Sequence, residues 1–278
     1  MDWLSRQFTT RVIVLMPVAI AINIVLGYTV QTVLKLPIYL DSIGTILVGV
    51  LAGPIAGLLT GVLSNIIWQY APGIGGGSIG PFAITAGVIG LLAGLWGYLG
   101  VYRSRPAEGG RLYAAAVIAI AIIGLLAWRM YTIPAYGAEG SGYPEWVYGA
   151  IVVIGAIAAI GVAAVVILRR DTAGAWVAVA GAITGVVAAV VSAPIAAYLF
   201  EGVTGSGTDL IVAALRQGGA DVTNASLGQG LFSDPIDKTI TSFVVFVILA
   251  GLSPRLIARF PLGERTVGTG ADRATARA

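Results

Sequence analysis

Two reactive side chains are missing from this sequence, whose 278 residues include no cysteine and no histidine. Without cysteine the chain forms no disulfide and has no thiolate chemistry. Without histidine it lacks the commonest metal ligand and general base. Charge is scarce as well, at 10% of residues against about 25% in soluble domains. With 58% hydrophobic residues, this composition predicts a protein embedded in a membrane.

Long blocks of Ala, Val, Ile, Leu and Gly indicate that the membrane segments are helices. Several blocks reach the ~20 residues that a helix needs to cross a bilayer, whereas a membrane β-barrel would show alternating segments of ~10 residues. The sequence therefore predicts an all-α polytopic membrane protein, with a polar external loop at 201–235 and a disordered cytoplasmic tail at 263–278. The predicted membrane segments are 10–34, 40–53, 54–70, 81–102, 112–133, 146–168, 174–200 and 236–258.

The stretch from Pro37 to Tyr70 is apolar enough for a membrane but is interrupted by Gly53-Pro54. Each half is short for a span, and membrane helices interrupted by Gly or Pro tend to line a site. We therefore predict two short helices that fold back on each other at Gly53-Pro54. This reversal returns Trp68, near the end of the second short helix, to the side of the membrane where the first short helix begins at Asp41.

Arginine clusters determine the predicted orientation, because positively charged residues prefer the cytoplasmic side. If 40–70 were one span, the N-terminal arginines and those at 103–111 would lie on opposite sides of the membrane. Counted as two spans, every cluster and both termini are cytoplasmic. The same interpretation assigns the net charge of +3 to topology and not to nucleic-acid binding. The clusters are Arg6 and Arg11; Arg103, Arg105 and Arg111; Arg169 and Arg170; and Arg255, Arg259 and Arg265.

Gly49, Gly53, Gly57 and Gly61 recur every four residues, a spacing that gives a helix one smooth face. Because the row crosses Gly53-Pro54, it would form a smooth strip on each short helix. Such strips serve either internal helix packing or a surface that slides against another subunit, and the sequence is compatible with both.

Asp41, Asn65 and Trp68 lie near the ends of the two short helices. A carboxylate at the start of a helix is stabilised by the free N–H groups of the first turn, so Asp41 is either a helix cap or a ligand contact. The amide of Asn65 needs a partner in hydrocarbon, which is another helix or a ligand. Trp68, like Tyr39 and Tyr70, either belongs to the belt of interfacial aromatic residues or stacks on a planar ligand.

The run SDPIDK at 233–238 opens the last predicted span. Proline in the first turn after Asp is a helix-start signature, so Asp234 and Pro235 predict the start of that helix. Asp237 and Lys238 lie further into the membrane, where ionisable groups are functional candidates by default. As neighbours they cannot face the same way, so we expect each to have a separate partner.

The sequence contains no G-x-S-x-G elbow, no zinc-ligand spacing and no Walker A motif. We therefore predict that the chain is not an enzyme, has no metal or other cofactor, and depends on separate subunits for any ATP-driven work. The glycine-rich segment 71–80 lacks the Gly-Lys-Ser/Thr ending of a phosphate loop. It is either a flexible connection or a lid over a ligand.

The chain resembles the substrate-binding S components of energy-coupling factor (ECF) transporters at residues 36–68, LPIYLDSIGTILVGVLAGPIAGLLTGVLSNIIW. Further runs are similar to the same family, and the resemblance covers about 1–102 and 172–262. These runs are SDPIDK at 233–238, PRLIARFP at 254–261, SAPIAA at 192–197 and VTGSGTD at 203–209.

The resemblance implies a six-helix core in a single membrane domain, 1–262, located in a prokaryotic cell membrane. Residues 103–171 would be an inserted two-helix hairpin, which gives about eight membrane segments in all and preserves the topology. The family captures a vitamin-like or nucleoside-like micronutrient from outside and couples to a transmembrane T subunit and two ATP-binding subunits.

S components often dock through an Ala-x-x-x-Ala pattern in the first helix. Here that helix has Ala19, Ala21 and Gly27 instead, which implies a different small-residue face.

The site expected from these residues and from the resemblance lies in the external loops and the outer halves of the helices, where aromatic groups would stack on the solute and polar groups would orient it. Its candidate residues are Tyr39, Asp41, Asn65, Trp68, Phe82, Asp234, Asp237 and Lys238.

One alternative function is that of a sensory or scaffolding membrane module without a transport cycle, which a fused or neighbouring signalling domain would indicate. Another is a membrane enzyme acting on lipid-linked substrates, which would need a carboxylate or metal cluster at the interface.

Overall fold

The computed structural model describes residues 2–76, 78–132, 145–168 and 170–267, and within these ranges the chain is helical with no β-strand. The predicted all-α class is therefore confirmed for the described chain. In chain order the helices are α1 (Asp2–Gln7), α2 (Thr10–Gly27, continued by a π-helical segment Tyr28–Val33), α3 (Ile43–Ala52), α4 (Pro54–Gln69), α5 (Ala83–Tyr98, preceded by a 3-10 turn Gly80–Phe82), α6 (Gly110–Thr132), α7 (Glu145–Leu168), α8 (Ala173–Phe200), α9 (Asp209–Gln217), α10 (Val222–Gly251), α11 (Pro254–Ile257) and α12 (Gly263–Val267).

Three helical segments of the described chain are long and apolar enough to cross a membrane. They are Thr10–Val33, Gly80–Tyr98 and Ala173–Phe200. Shorter apolar helices accompany them at Ile43–Ala52, Gly110–Leu125 and Ala159–Leu168. This pattern is compatible with the membrane character that the composition predicts.

The chain reverses direction at Gly53, as predicted. Gly53 has φ +121°, a conformation that favours glycine, and the proline that follows occupies the first turn of α4, where its missing N–H costs nothing. A Cβ atom added to Gly57 would lie 2.8 Å from Gly49 Cα, and one added to Gly61 would lie 3.1 Å from Thr45 Cγ2. Because these pairs are equally spaced about Gly53, α3 and α4 run antiparallel.

The glycine row packs inside the molecule, against α5. A Cβ atom on Gly57 would lie 2.4 Å from the carbonyl oxygen of Gly90, and one on Gly61 would lie 2.2 Å from that of Ala86. Only the lack of a side chain lets the helix backbones approach this closely. The row therefore serves internal packing, and the alternative of a surface that slides against another subunit is wrong for this strip.

The small residues of α2 face in different directions. Ala19 is buried against α3, where a Cβ atom on Gly44 would lie 2.1 Å from its carbonyl oxygen, and Gly27 is buried against Trp68. Ala21 is exposed. Of the three small residues predicted for packing or docking on this helix, Ala21 is the one that a partner could reach.

A buried amide joins α2 to the α3/α4 hairpin. Asn23 Nδ2 donates to Thr45 Oγ1 at 2.8 Å and to Ser64 Oγ at 2.9 Å, and Asn23 Oδ1 accepts from the N–H of Gly44 at 2.7 Å. Buried polar groups cost free energy unless they are paired. These three bonds therefore fix the register of three neighbouring helices.

The last long helix begins at Val222 and not at 236. The carboxylate of Asp221 caps it by accepting from the N–H of Asn224 at 2.9 Å, and this hydrogen bond lowers the pKa of Asp221. The prediction that Asp234 and Pro235 start the helix is wrong, because Pro235 lies inside α10. A proline inside a helix leaves one carbonyl without its N–H partner, which a helix packed among others tolerates.

The predicted loop at 201–235 is therefore largely helical, since it contains α9 and the first half of α10. The polar residues of this stretch lower its hydropathy, which is why the sequence indicates a loop there. Packing explains its helical conformation: a Cβ atom on Gly185 of α8 would lie 2.3 Å from Pro235 Cα, so the two helices touch at the proline.

Residues 103–171, predicted to be an inserted hairpin, contribute α6 and α7, which pack against each other. Their described side chains share one hydrophobic core with α3, α5, α8 and α10. The connection at 133–144 and residue 169 lie outside the described residues. The core members from this region are Leu112, Ala115, Ala116, Ala119, Ile123, Val162 and Val166.

The C-terminal region departs from the predicted tail, because Gly263–Val267 forms α12. The N–H of Leu262 donates to the carbonyl oxygen of Leu51 at 2.8 Å. The guanidinium of Arg265 donates to the carbonyl oxygen of Tyr98 at 2.6 Å and lies 3.9 Å from the centroid of its ring. These contacts hold the start of the predicted tail against α3 and α5, and residues 268–278 lie outside the described chain.

We predict different effects for two Gly→Ala substitutions. Gly90→Ala places a Cβ atom 2.2 Å from the carbonyl oxygen of Gly57, and overpacking of this kind costs about 1–3 kcal/mol or more. Gly124→Ala is the matched control, because no described atom lies within 4 Å of its added Cβ. The thermal unfolding midpoint in detergent should fall for Gly90→Ala and stay unchanged or rise for Gly124→Ala. Equal midpoints would contradict the packing assigned to the glycine row.

Candidate functional site

A cavity of about 340 Å³ lies at one end of the helix bundle. Its lining comes from the C-terminal ends of α4 and α8 and of the π-helical extension of α2, from the N-terminal ends of α3 and α5, and from α10. Residues 74–76, 78–79 and 204–206 complete the lining. Because successive helices present opposite ends here, polar residues that are far apart in the sequence meet in one place.

Seven of the eight candidate site residues line this cavity, and the completely buried Asp237 lies behind the lining. The structure therefore brings together residues from both ends of the chain. Their role in ligand binding stays a prediction. The seven are Tyr39, Asp41, Asn65, Trp68, Phe82, Asp234 and Lys238.

Lys238 is a buried ammonium ion with several polar partners. It forms ion pairs with Asp237 and, at 3.4 Å, with Asp41, and it donates to Ser42 Oγ at 2.7 Å. Lys238 and Asp237 do have separate partners, as expected, with Asp41 and Ser42 around the ammonium and two backbone N–H groups on the carboxylate. The premise that the two side chains cannot meet is wrong, because the long lysine side chain turns back to its neighbour's carboxylate. A buried charge is tolerated when it is both paired and hydrogen-bonded.

Asp237 positions the segment that leads into α3. Its Oδ1 accepts from the backbone N–H groups of Tyr39 at 3.0 Å and Leu40 at 2.7 Å. Leu40 has φ +52°, a conformation that residues other than glycine rarely adopt. The two hydrogen bonds help to hold this turn, so Asp237 shapes one wall of the cavity from behind.

Asp41 does not act as a helix cap. The N-terminal residue of α3 is preceded by Ser42, and no side chain makes a capping hydrogen bond there. The Asp41 carboxylate instead accepts from Gln31 Nε2 at 3.0 Å and from Ser42 Oγ at 2.8 Å, in addition to its ion pair with Lys238. Of the two interpretations open from the sequence, the structure rejects the cap and leaves Asp41 at the cavity.

The side chain of Tyr39, in the segment before α3, extends to the start of α9 and to α10. Its hydroxyl lies 3.2 Å from Thr208 Oγ1 and accepts from Gln229 Nε2 at 3.0 Å. Burial raises the pKa of Tyr39 above its ordinary value, so the phenol stays neutral. Lys238 Nζ lies 5.8 Å from the centroid of the ring, within the range of a cation–π contact.

The aromatic walls of the cavity differ in exposure. Phe82 is half-buried and stacks on Phe200, with ring centroids 5.9 Å apart and planes inclined by 17°. Trp68 is only 2% exposed, and its Nε1 donates to the carbonyl oxygen of Ile74 at 3.1 Å. Trp68 therefore does not belong to an outward-facing aromatic belt, unlike Tyr70, which is 81% exposed.

The glycine-rich segment 71–80 is tied down over the cavity. Ser78 Oγ donates to the carbonyl oxygen of Thr204 at 2.7 Å, and the N–H of Gly80 donates to Gln69 Oε1 at 2.8 Å. Thr204 is held in turn by Asp209, which accepts from its N–H and hydroxyl. Because residues 74–76 and 78–79 line the cavity, the described part of the segment is a cover and more than a connection.

Several polar lining residues escape a sequence-based search. Thr85 and Ser192 are single uncharged polar residues within apolar runs, a pattern equally typical of ordinary helix packing. Thr204, Ser206 and Gln229 are missed for another reason, since they lie in the stretch 201–235 that the hydropathy assigns to a loop. The signal that could have found the others is their position within a turn or two of a predicted helix end. The missed residues are Gln31, Thr32, Ser42, Thr85, Ser192, Thr204, Ser206 and Gln229.

The described lining of the cavity supplies groups that can recognise a small molecule. The described residues contain no group of three His, Cys, Asp or Glu side chains that could hold a metal ion. What the lining offers is a set of hydrogen-bonding groups, carboxylates and aromatic rings, which can orient a small molecule.

Lys238→Met is expected to destabilise the protein strongly. The substitution leaves Asp237 buried without its cation, and breaking a buried ion pair from one side costs about 3–5 kcal/mol. Lys35→Met is the matched control, because Lys35 is the other lysine of the sequence and is exposed. Chemical unfolding in detergent measures both variants. Equal stability of the two would contradict the structural role given to the Lys238 ammonium.

The comparisons with known proteins bring no family to this chain. No family model, no curated protein and no solved structure matches it. The function is therefore inferred from the cavity and its surroundings.

Proposed function

We propose that this chain is the membrane-embedded substrate-binding subunit of an ECF-type transporter. It would capture a vitamin-like or nucleoside-like micronutrient from outside the cell, for ATP-driven uptake by partner subunits. The observation that carries the proposal is the polar cavity of about 340 Å³ at one end of an apolar helix bundle. This volume suits a compact solute, and buried ionisable groups in membrane helices mark substrate pathways.

The position of the arginines supports capture from outside. At the end of the bundle opposite the cavity, Arg11 donates to the carbonyl oxygen of Arg259 at 3.2 Å, and Arg105 donates to that of Gly100 at 2.9 Å. Basic residues prefer the cytoplasmic side of a membrane. The cavity would then face outward in the cell membrane, and both termini would be cytoplasmic.

The alternation of helix direction supports the proposed topology. Helices α2 to α5, α8 and α10 would form the six-helix core, with α6 and α7 as the inserted hairpin, giving eight membrane segments. Among them α3 and α4 are short, which suits a pair that reverses inside the bundle and lines a site.

The proposed partners are a transmembrane T subunit and two ATP-binding subunits, because the sequence itself has no phosphate-binding motif. Docking would use an outward-facing surface, such as the side of α2 that carries the exposed Ala21. The glycine row of α3 and α4 would not take part, since α5 covers it.

A sensory or scaffolding module is the competing function. A scaffolding module has no need of a lined cavity of this kind, whereas a sensory module would bind its ligand there without a transport cycle. A correctly folded protein that binds no small solute would favour the scaffolding module.

The first test of the proposal is the identity of small molecules that co-purify with the protein, measured by mass spectrometry, followed by their binding to the isolated protein. Within the described chain the Asn65 side chain makes a single hydrogen bond, from Nδ2 to the carbonyl oxygen of Ile79 at 3.4 Å, so its amide is available to a solute. Asn65→Ala should lower affinity about tenfold, as expected for one lost hydrogen bond of about 1.4 kcal/mol.

Asn224→Ala is the matched control, because Asn224 is exposed and lies outside the cavity lining. It should leave the affinity unchanged. The same affinity in Asn65→Ala would remove Asn65 from the site, and the absence of any bound solute would contradict the proposed function.

Trp68→Phe should accelerate the release of the bound solute. Truncation to alanine is a poor test, because Trp68 packs against Gly27 and loss of a buried tryptophan costs about 3–5 kcal/mol. Phenylalanine keeps most of the packing but removes the N–H that holds Ile74 in the cover. Trp3→Phe is the control, since Trp3 is 58% exposed. Equal dissociation rates in the two variants would show that this hydrogen bond does not hold the cover.

A further inference from the structure

The cavity is surrounded by more negative than positive charge. Asp41 and Asp234 line it, and Asp237 lies directly behind Lys238. Among the described lining residues, Lys238 is the one cation. Three carboxylates therefore share a single ammonium ion.

Lys238 has no hydrogen-bond donor left for a further carboxylate. An ammonium group has three N–H donors, and those of Lys238 are directed to Asp237, Asp41 and Ser42. Asp237 is satisfied further by two backbone N–H groups. The N–H donors of Lys238 are thus used by Asp237, Asp41 and Ser42, and none is directed to Asp234, which the ammonium charge reaches only from a distance.

Asp234 is the one of these three carboxylates that has no direct ion pair with Lys238. It is 5% exposed and lines the cavity. Its Oδ2 accepts from Ser192 Oγ at 3.4 Å, and its Oδ1 has no hydrogen bond within the described chain. A buried carboxylate is costly unless it is paired with a cation or fully hydrogen-bonded. Since Asp234 borders the cavity, a bound solute is in position to supply the missing positive charge.

Thr85 independently indicates a missing partner. It lines the same cavity and is 8% exposed, yet its Oγ1 has no hydrogen-bond partner in the part of the chain that the structure describes. Buried hydroxyl groups are normally paired. Less than 1 Å² of Oγ1 is accessible, so a solute with a polar atom near α5 would pair with it once the Thr85 side chain rotates toward the cavity.

Aromatic surfaces lie beyond the charged groups, toward the cover. Ser192, which contacts Asp234, precedes Phe200 on α8 by eight residues, or about 12 Å of helix. Phe200 supports Phe82, which lines the cavity. The aromatic pole of the cavity therefore lies nearer the C-terminal end of α8 than its charged pole does.

We propose that the cavity takes a compact aromatic cation, with its positive nitrogen against Asp234 and its ring toward Phe82. The inference rests on the proposed function and names the class of its solute. A cation pairs with the Asp234 carboxylate, and a planar ring stacks on the aromatic wall.

The test uses three probes of matched shape and different charge: 2-phenylethylammonium, 2-phenylethanol and 3-phenylpropanoate. Calorimetry on purified full-length protein, freed of co-purified solute, should show the ammonium binding at least about tenfold more tightly than the alcohol, the size of one charge-assisted hydrogen bond. The carboxylate should bind more weakly than either. Equal affinities, a preference for the alcohol or the carboxylate, or no binding of any probe at millimolar concentration would overturn the proposal.

Asp234→Asn should abolish the preference for the ammonium probe, whereas the control Glu108→Gln should keep it, because Glu108 is exposed and pairs with Arg170. Stability gives a second readout that does not depend on a ligand. Without solute, Asp234→Asn should unfold at the same temperature as the unsubstituted protein or higher, and Asp237→Asn, three residues along the same helix, should unfold at a lower temperature. A loss of stability in Asp234→Asn like that in Asp237→Asn would make Asp234 a structural carboxylate and overturn the proposal.

Failure of this inference differs from failure of the proposed function. A neutral or anionic solute that co-purifies and competes with the probes would contradict the proposal that the solute is a cation. The proposed function as a substrate-binding subunit would still stand. A folded protein that binds neither a co-purified solute nor any probe would overturn both.

Discussion

A single buried ammonium ion holds the candidate site together. Lys238 joins α10 to the segment before α3 through Asp41, Ser42 and Asp237, and Asp237 adds two bonds to the backbone of that segment. Burying one charge requires compensating groups around it, and those groups come from chain segments about 200 residues apart. The wall of the cavity, the position of Tyr39 and the surplus of carboxylates all follow from this arrangement.

Reversals of the chain make such an arrangement possible in an apolar bundle. The turn at Gly53 and the alternation of the other long helices bring polar helix ends to one side, while the middles of the helices pack through glycine and alanine. Asn23, which lies deep between three helices, is fully paired. At the cavity, Asp234 Oδ1 and Thr85 Oγ1 lack a partner within the described chain, which is the physical reason to expect a solute there. Among the described residues, buried atoms without a partner also occur away from the cavity, at Gln7 Nε2, Tyr102 Oη and Ser226 Oγ.

Much of this architecture could be predicted from the sequence, since its signals are local. A Gly-Pro pair at the centre of an apolar run predicts the reversal, and charged or aromatic residues next to helix ends predict the members of the site. The start of α10 could not be predicted, because residues 222–235 are rich in polar residues and glycine and so resemble a loop, although only Gln229 and Asp234 among them line the cavity. The role of Asp237 could not be predicted either, because its partners Tyr39 and Leu40 become its neighbours only after folding.

The central claim is that this cavity opens outward and holds a solute. Because the chain has no cysteine, a thiol introduced at Ser206, on the cavity lining, would be the only one in the protein. The measurement is labelling of Ser206→Cys in intact cells by a maleimide that cannot cross the membrane, with Glu108→Cys at the arginine end for comparison. The account predicts that Ser206→Cys is labelled from outside and protected by the co-purified solute, and that Glu108→Cys is labelled only after permeabilisation. Labelling of the two positions from the opposite sides, or labelling at Ser206→Cys that the solute does not slow, would contradict it.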